Sequence, residues 1–204
     1  MNIEELKVKA ENIVENIKDK GIYLKENTFI DYKLELKLSP NVSNVLIFLR
    51  NFAKDILAFA NKDGGLLLLG FNENKETGEI TDIGLKEDDI NILRAIDLKD
   101  LSDQFVKMFD AQIVVDIHAF NIAARKFYYI LIEKHNSILI PKNDFLDYGL
   151  KKGDIIYRSA GNNLKANERT SEFNTFIEAK VNEKNKEFMQ IWSNLLPEVF
   201  DINP

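Results

Sequence analysis

The sequence predicts an α+β fold: a single compact domain with a mixed or antiparallel β-sheet, a central buried helix, and a flanking helix at each end. Three patterns carry this reading. Residues 28–38 alternate apolar and charged side chains with a period of two. Residues 44–61 are apolar at helical spacing on most of their circumference. Residues 3–18 and 170–196 each carry an apolar stripe at helical spacing.

In chain order, Ile3, Leu6, Ala10, Ile13, Val14 and Ile17 set the first helix, which Gly21 ends. Ile30, Tyr32, Leu34, Leu36 and Leu38 face one way along a strand, and Asp31, Lys33, Glu35 and Lys37 the other. Ser39-Pro40-Asn41 breaks the chain, with Ser43 as N-cap of the central helix, and Gly64-Gly65 turns it. LLLLGF (66–71) reads as a buried strand, and EITDIG (79–84) as its hairpin partner across Thr77-Gly78. Residues 87–109 read as one helix. Residues 111–120 and 126–134 read as a hairpin, GDIIYRSA (153–160) as a last strand, and 170–196 as a helix that NEKNKE (182–187) divides. These elements group as an N-terminal helix (1–21), a domain (22–175) and a C-terminal helical extension (176–204).

Composition narrows the chemistry. Among 204 residues there is no cysteine and there are two histidines, which excludes thiol nucleophiles, thiolate zinc sites and disulfide scaffolds. P-loop, dinucleotide, zincin and G-x-S-x-G patterns are absent. No apolar run approaches a membrane span, and the N-terminus is charged and amphipathic, so the expectation is a soluble cytoplasmic protein. The net charge is −6, an unpromising sum for a nucleic-acid partner. The charge is uneven, however: residues 71–110 hold 11 acids against 5 bases, and residues 111–170 hold 9 bases against 6 acids. The basic stretch includes Arg125, Lys126, Lys151, Lys152, Arg158, Lys165 and Arg169, either a nucleic-acid surface or solvated loop charges.

With Cys and His removed, a hard cation held by carboxylates is the remaining route to strong chemistry. Asp31-Tyr32-Lys33 sets an acid and a lysine on one strand face, a pairing that can hold a cation and a positive charge beside one phosphate. On its own the same pattern is also an ordinary solvated strand face. Glu26 joins it only if the chain bends at Asn27-Thr28. Glu73 joins it only if LLLLGF neighbours the first strand.

ENTFIDYK (26–33), ILAFANKDGGLLLLGFNENKETGEITDIG (56–84) and GDIIYRSAGNNLKAN (153–167) together resemble the Schlafen-type AlbA domain. That family reads E-x-x-x-x-E-F-K, then a helix ending S-A-F-A-N-T-x-G-G, a strand ending I-G-V-D-D, and a late Y-x-R-x-G-S-x-x-x-x-A. A-F-A-N-K-D-G-G-L-L-L-L-G (58–70) is the most specific match, and coverage runs from about residue 24 to 175. The resemblance implies a nucleic-acid-associated domain whose members range from binding modules to a metal-dependent endoribonuclease of tRNA and rRNA. It places the catalytic and metal-binding acids at Glu26, Asp31 and Glu73, with Lys33 at the lysine position. Asp31 stands where the family has Glu, and Glu73 where it has Asp; both still offer oxygen ligands. The expectation is a tRNA-directed endoribonuclease using Mg²⁺ or Mn²⁺. The basic residues above and Asn163 would lie on the RNA backbone, and a homodimer would rebuild the family's two-lobed groove. The alternatives are a non-catalytic nucleic-acid-binding or regulatory module and a nucleotide-binding accessory protein.

Overall fold

The computed structural model describes residues 2–199. It divides into two compact units, residues 1–165 and 166–204.

The first unit begins with α1 (Ile3–Lys20). Asn2 and Glu5 form a capping box at its start, and Gly21 closes it in the left-handed conformation at φ 61°. Next come β1 (Ile30–Lys33), α2 (Asn44–Asn61, capped by the Ser43 side chain), β2 (Gly65–Leu69), β3 (Phe71–Glu73) and β4 (Ile80–Asp82). The helices α3 (Glu87–Arg94) and α4 (Leu98–Phe109) lead into β5 (Val115–Ile122) and β6 (Arg125–Ile132), and the unit ends with β7 (Ile156–Ser159) and β8 (Asn162–Lys165).

The main sheet has the order β1-β2-β6-β5, with β1 parallel to β2 and the other pairs antiparallel. It is therefore mixed, and its two faces are buried by different layers. Leu66, Leu68, Tyr129 and Leu131 pack with Leu6, Ile13 and Ile17 of α1. Leu67, Leu69, Ile130 and Ile132 pack with α2, α3 and α4 through Phe52, Phe59, Leu93 and Phe105. Burial on both faces is why LLLLG reads as an unbroken apolar run. Gly65 permits the closest approach of these layers: a Cβ there would stand 2.1 Å from the Phe59 ring.

Several boundaries differ from the sequence expectation. The first strand covers 30–33 rather than 28–38. Beyond Lys33 the backbone turns from strand pairing to side chains, with Leu36 N donating to Asp89 Oδ1 and Lys37 N to Asn51 Oδ1. Leu34 and Leu38 are accordingly exposed. Gly70, at φ 98°, separates β2 from β3 within LLLLGF. Residues 87–109 form two helices because Asp97 caps a new one, accepting from Lys99 N at 2.7 Å. β8 pairs with β7 as a second small hairpin that the sequence reading missed.

The second unit consists of α5 (Thr170–Val199), which runs through 182–187 without a break. Phe188, Met189, Ile191 and Trp192 are exposed on it. Leu195, read with them from sequence, lies outside the described side chains. Among the described residues no helix is long and apolar enough to cross a membrane.

Candidate functional site

Two conditions decide whether the sequence-distant acids meet, and both are satisfied. The bend before β1 is made by Asn27, whose Oδ1 accepts from Phe29 N at 2.7 Å and Ile30 N at 3.0 Å. It turns Glu26 back so that its Oε1 accepts from Tyr32 N at 3.0 Å. β2 is the parallel neighbour of β1, with Asp31 opposite Leu67 and Lys33 opposite Leu69. Gly70 then redirects the chain: its N–H donates to Lys33 O at 2.8 Å, and β3 packs beside β1. Glu26, Asp31, Lys33 and Glu73 thus line one cleft of about 480 Å³. A hollow of similar volume near Ser43 also gathers acids, Asp97, Asp100 and Asp103 with Lys107, but all four belong to α4 and its cap; one near Pro40 holds Asp88 as its one acid.

The alternation read from sequence holds over β1. Ile30 and Tyr32 enter the α1 layer, while Asp31 and Lys33 face α2. That second face is not solvated. Asp31 is 4% exposed, and its charge is balanced on both sides. Lys33 Nζ lies 2.7 Å from its Oδ2, and Arg158 Nη2 donates to its Oδ1 at 2.9 Å. Arg158, from β7, is itself 2% exposed. Its guanidinium also donates to Asn27 O, to Ile30 O at 3.2 Å and to Asn163 Oδ1 at 3.1 Å, and it lies over the Phe59 ring. This is the planar five-donor fork that only arginine offers.

The sequence reading missed Asp55 of α2. It is buried, and its Oδ1 accepts from Asn163 Nδ2 at 2.5 Å and from Lys33 Nζ at 3.4 Å. Asp31, Lys33, Asp55, Asn163 and Arg158 therefore close a ring of five side chains drawn from β1, α2, β7 and β8. A signal existed: Asp55 is the one acid in the largely apolar segment 44–61, and a carboxylate on a buried helix requires a partner.

Burial sets the protonation pattern. Glu26 is pushed up to about 7, first by desolvation, against the Tyr32 amide, and then by the neighbouring Asp31 and Glu73 charges. Burial alone would raise Asp31, but the Lys33 ammonium and the Arg158 guanidinium hold it below the ordinary carboxylate value. Burial raises Asp55. Lys33 stays charged because Asp55 and Asp31 outweigh its desolvation. Tyr32 is raised by burial and by Glu26 and Glu73; its hydroxyl donates to Leu24 O at 2.7 Å.

The sign for Glu26 follows directly. A folded-state value near 7 against 4.5 unfolded means its stabilising contribution is present below pH 4.5 and is lost as pH rises through about 7. In metal-free buffer, Glu26→Gln is therefore expected to melt above the wild type at pH 8, with the gap closing towards pH 5. Melting curves at the two pH values check this; a gap independent of pH would contradict it.

The remaining sequence candidates are distributed differently. Arg158 and Asn163 line the cleft from the ring, as an enclosed pair rather than a free surface. Arg125 is exposed and paired with Asp82, and Lys126 adjoins it on β6. Lys151 and Lys152 are exposed in the turn before β7, and Lys165 pairs with Asp154 at 2.8 Å. None of these five lines the cleft. Arg169, in the second unit, pairs with Glu172. The cleft instead presents Lys54 and Lys75, which sequence reasoning did not select.

The acids offer oxygen alone, the donor type a hard cation takes; Glu26 is raised first by burial and only then by the Asp31 and Glu73 charges that a divalent cation would offset. As placed, however, no three Asp, Glu or His side chains among the described residues stand close enough together to hold one ion.

A family model described as Schlafen, AlbA_2 matches residues 26–167. A search of the curated proteins finds no match. Among solved structures, the chain is similar to the DIP2311 protein from Corynebacterium diphtheriae at 16% identity and a TM-score of 0.45, covering 79% of this chain and 30% of that one. It is also similar to the N-terminal domain of a RecG-related protein from Nitrosomonas europaea at 19% identity and a TM-score of 0.40, covering 75% of this chain and 89% of that one.

Proposed function

From the premise that this chain belongs to the Schlafen AlbA_2 family, we propose that the cleft cleaves nucleic-acid phosphodiesters, as an endoribonuclease acting on structured RNA, with tRNA as first candidate. The observation that supports this is that Glu26, Asp31, Lys33 and Glu73 line one cleft, although the acids come from three separate segments. As placed the three acids do not form a ligand set, so on this reading they would draw together on binding Mg²⁺ or Mn²⁺. Such an ion supplies an activated water and charge for the phosphorane. Lys33 is the charge beside the scissile phosphate: its side chain is 32% exposed towards the cleft, while its ammonium is anchored at Asp31. Lys54 and Lys75 at the rim suit adjoining phosphates, and phosphate contacts position without reading sequence.

A second reading is a non-catalytic nucleic-acid-binding module. It is favoured by the engagement of both Asp31 oxygens with protein cations. Incubation of a tRNA pool with the protein and Mn²⁺ or Mg²⁺, beside Glu26→Gln and Glu73→Gln, separates the two. Metal-dependent cleavage that falls in both variants supports the enzyme. Binding without cleavage in either metal supports the module.

On the enzymatic reading a second copy would complete the two-lobed groove. The exposed Phe188, Ile191 and Trp192 of α5 are the contact to test. Sedimentation at micromolar concentration is expected to give a dimer that Trp192→Glu dissociates; a monomeric wild type would remove dimerisation from the proposal.

A further inference from the structure

We propose that Asp55 is a positioning residue, which fixes the Lys33 ammonium between two carboxylates so that it faces the cleft in one orientation. The functional part of this rests on the reading of the cleft as a phosphodiester site; the positioning part rests on geometry alone.

Lys33 is two residues from Asp31 on an edge strand. An ion pair between such neighbours is satisfied by many rotamers of a four-carbon stem, most of them pointing into solvent. A second anchor removes that freedom. Asp55 Oδ2 lies 3.3 Å from Lys33 Nζ, on the side opposite β1. Asp55 is held in turn by Asn163, and Asn163 by Arg158, which returns to Asp31. Each member of the ring is thus fixed by two others from different elements. An ammonium has three N–H donors. The ion pair with Asp31 and the hydrogen bond to Asp55 Oδ1 occupy one side of it, and the 32% exposure of the Lys33 side chain leaves the other for the cleft. A charge held in advance where a phosphate's charge develops requires no reorganisation during reaction.

A merely structural Asp55 would contribute an ion pair to the packing of α2 on the sheet, and its removal would lower the melting temperature without touching Lys33. Two readouts separate these roles. The first needs no substrate. In a low-temperature ¹H–¹⁵N spectrum of lysine ammonium groups, wild-type Lys33 is expected to give a resolved, slowly exchanging signal, assigned by its loss in Lys33→Arg. Asp55→Asn keeps the shape and still offers Asn163 an acceptor. It is expected to remove the signal or shift it to the position of mobile lysines. The second readout is kinetic: Asp55→Asn lowers kcat roughly 10–100-fold, as loss of an orienting partner does, with KM changed less than about threefold. Asp55→Glu, which restores the carboxylate, recovers part of both.

A Lys33 signal that is unchanged in Asp55→Asn overturns the proposal, as does an unaltered kcat beside a lowered melting temperature. If the wild type cleaves no RNA, the enzymatic reading fails, and the ammonium spectrum by itself decides whether Asp55 positions Lys33. If Asp55→Asn does not fold, the wild-type spectrum decides it: a fast-exchanging Lys33 signal at the position of mobile lysines counts against the proposal.

Discussion

Arg158→Met is expected to destabilise the first unit by roughly 3–5 kcal/mol, the range for stripping one partner from a buried ion pair. The side chain it removes is 2% exposed. Methionine fills the volume but leaves Asp31 with Lys33 as its one counter-charge, and it leaves Ile30 O, Asn27 O and Asn163 Oδ1 without their guanidinium donor. The fall in the midpoint of denaturant unfolding at pH 7 measures the effect. Asp31→Asn acts through the same pair from the other side, since it buries an uncompensated guanidinium. The double variant Arg158→Met/Asp31→Asn is therefore expected to lose clearly less than the two single losses together. A loss under about 1 kcal/mol for Arg158→Met would mean that Lys33 alone balances Asp31.

The second large effect is on chemistry. On the nuclease reading, Glu73→Gln lowers metal-dependent cleavage by at least about 100-fold, the scale for losing one group aimed at developing charge. Its melting temperature is expected to stay close to the wild type's. Glu73 is the clearest of the three acids for this purpose. It sits on a three-residue strand, half-buried, and among the described residues the buried ion pairs of the cleft run from Asp31 to Lys33 and Arg158 without it. Asp31 variants lose stability and activity together and so report less. Cleavage by Glu73→Gln at the wild-type rate would remove this residue from the site and, with it, the three-acid arrangement.

Much of the fold was legible because local and tertiary forces agree. The central helix falls on the expected residues, 44–61, since its Ser43 cap and its apolar spacing point the same way. The expected strand over 28–38 failed beyond Lys33 because alternation reports which faces could be buried. The Asp89 and Asn51 side chains that capture the later amides lie far along the chain. The 87–109 helix failed for a local reason: the Asp97 side chain caps a new helix there, accepting from Lys99 N and Asp100 N. At the site, the acid positions came from family resemblance, and their convergence depends on the Asn27 bend and the β1-β2 pairing. Asp55 and the enclosure of Arg158 were illegible by spacing, since the partners they require are 108 and 127 residues away. The placement of the basic stretch was illegible for a related reason. Charge counted along the chain does not say which cations are spent on nearby acids, as Lys165 is on Asp154 and Arg125 on Asp82.

Those separations also set an order of events during synthesis. All four strands of the main sheet are complete by Ile132, whereas Arg158 and Asn163 emerge some tens of residues later. A nascent chain can pair its sheet and cover both faces while Asp31 and Asp55 are still short of their late partners. The cleft is thus the last part of the unit to become finished, and a chain stopped before β7 carries every acid of the site without the ring that holds them. On the nuclease reading, a protein that cuts RNA and is made by a machine built of RNA would gain from that schedule, because the ring that fixes Asp31 and Lys33 closes only when β7 and β8 have left the ribosome.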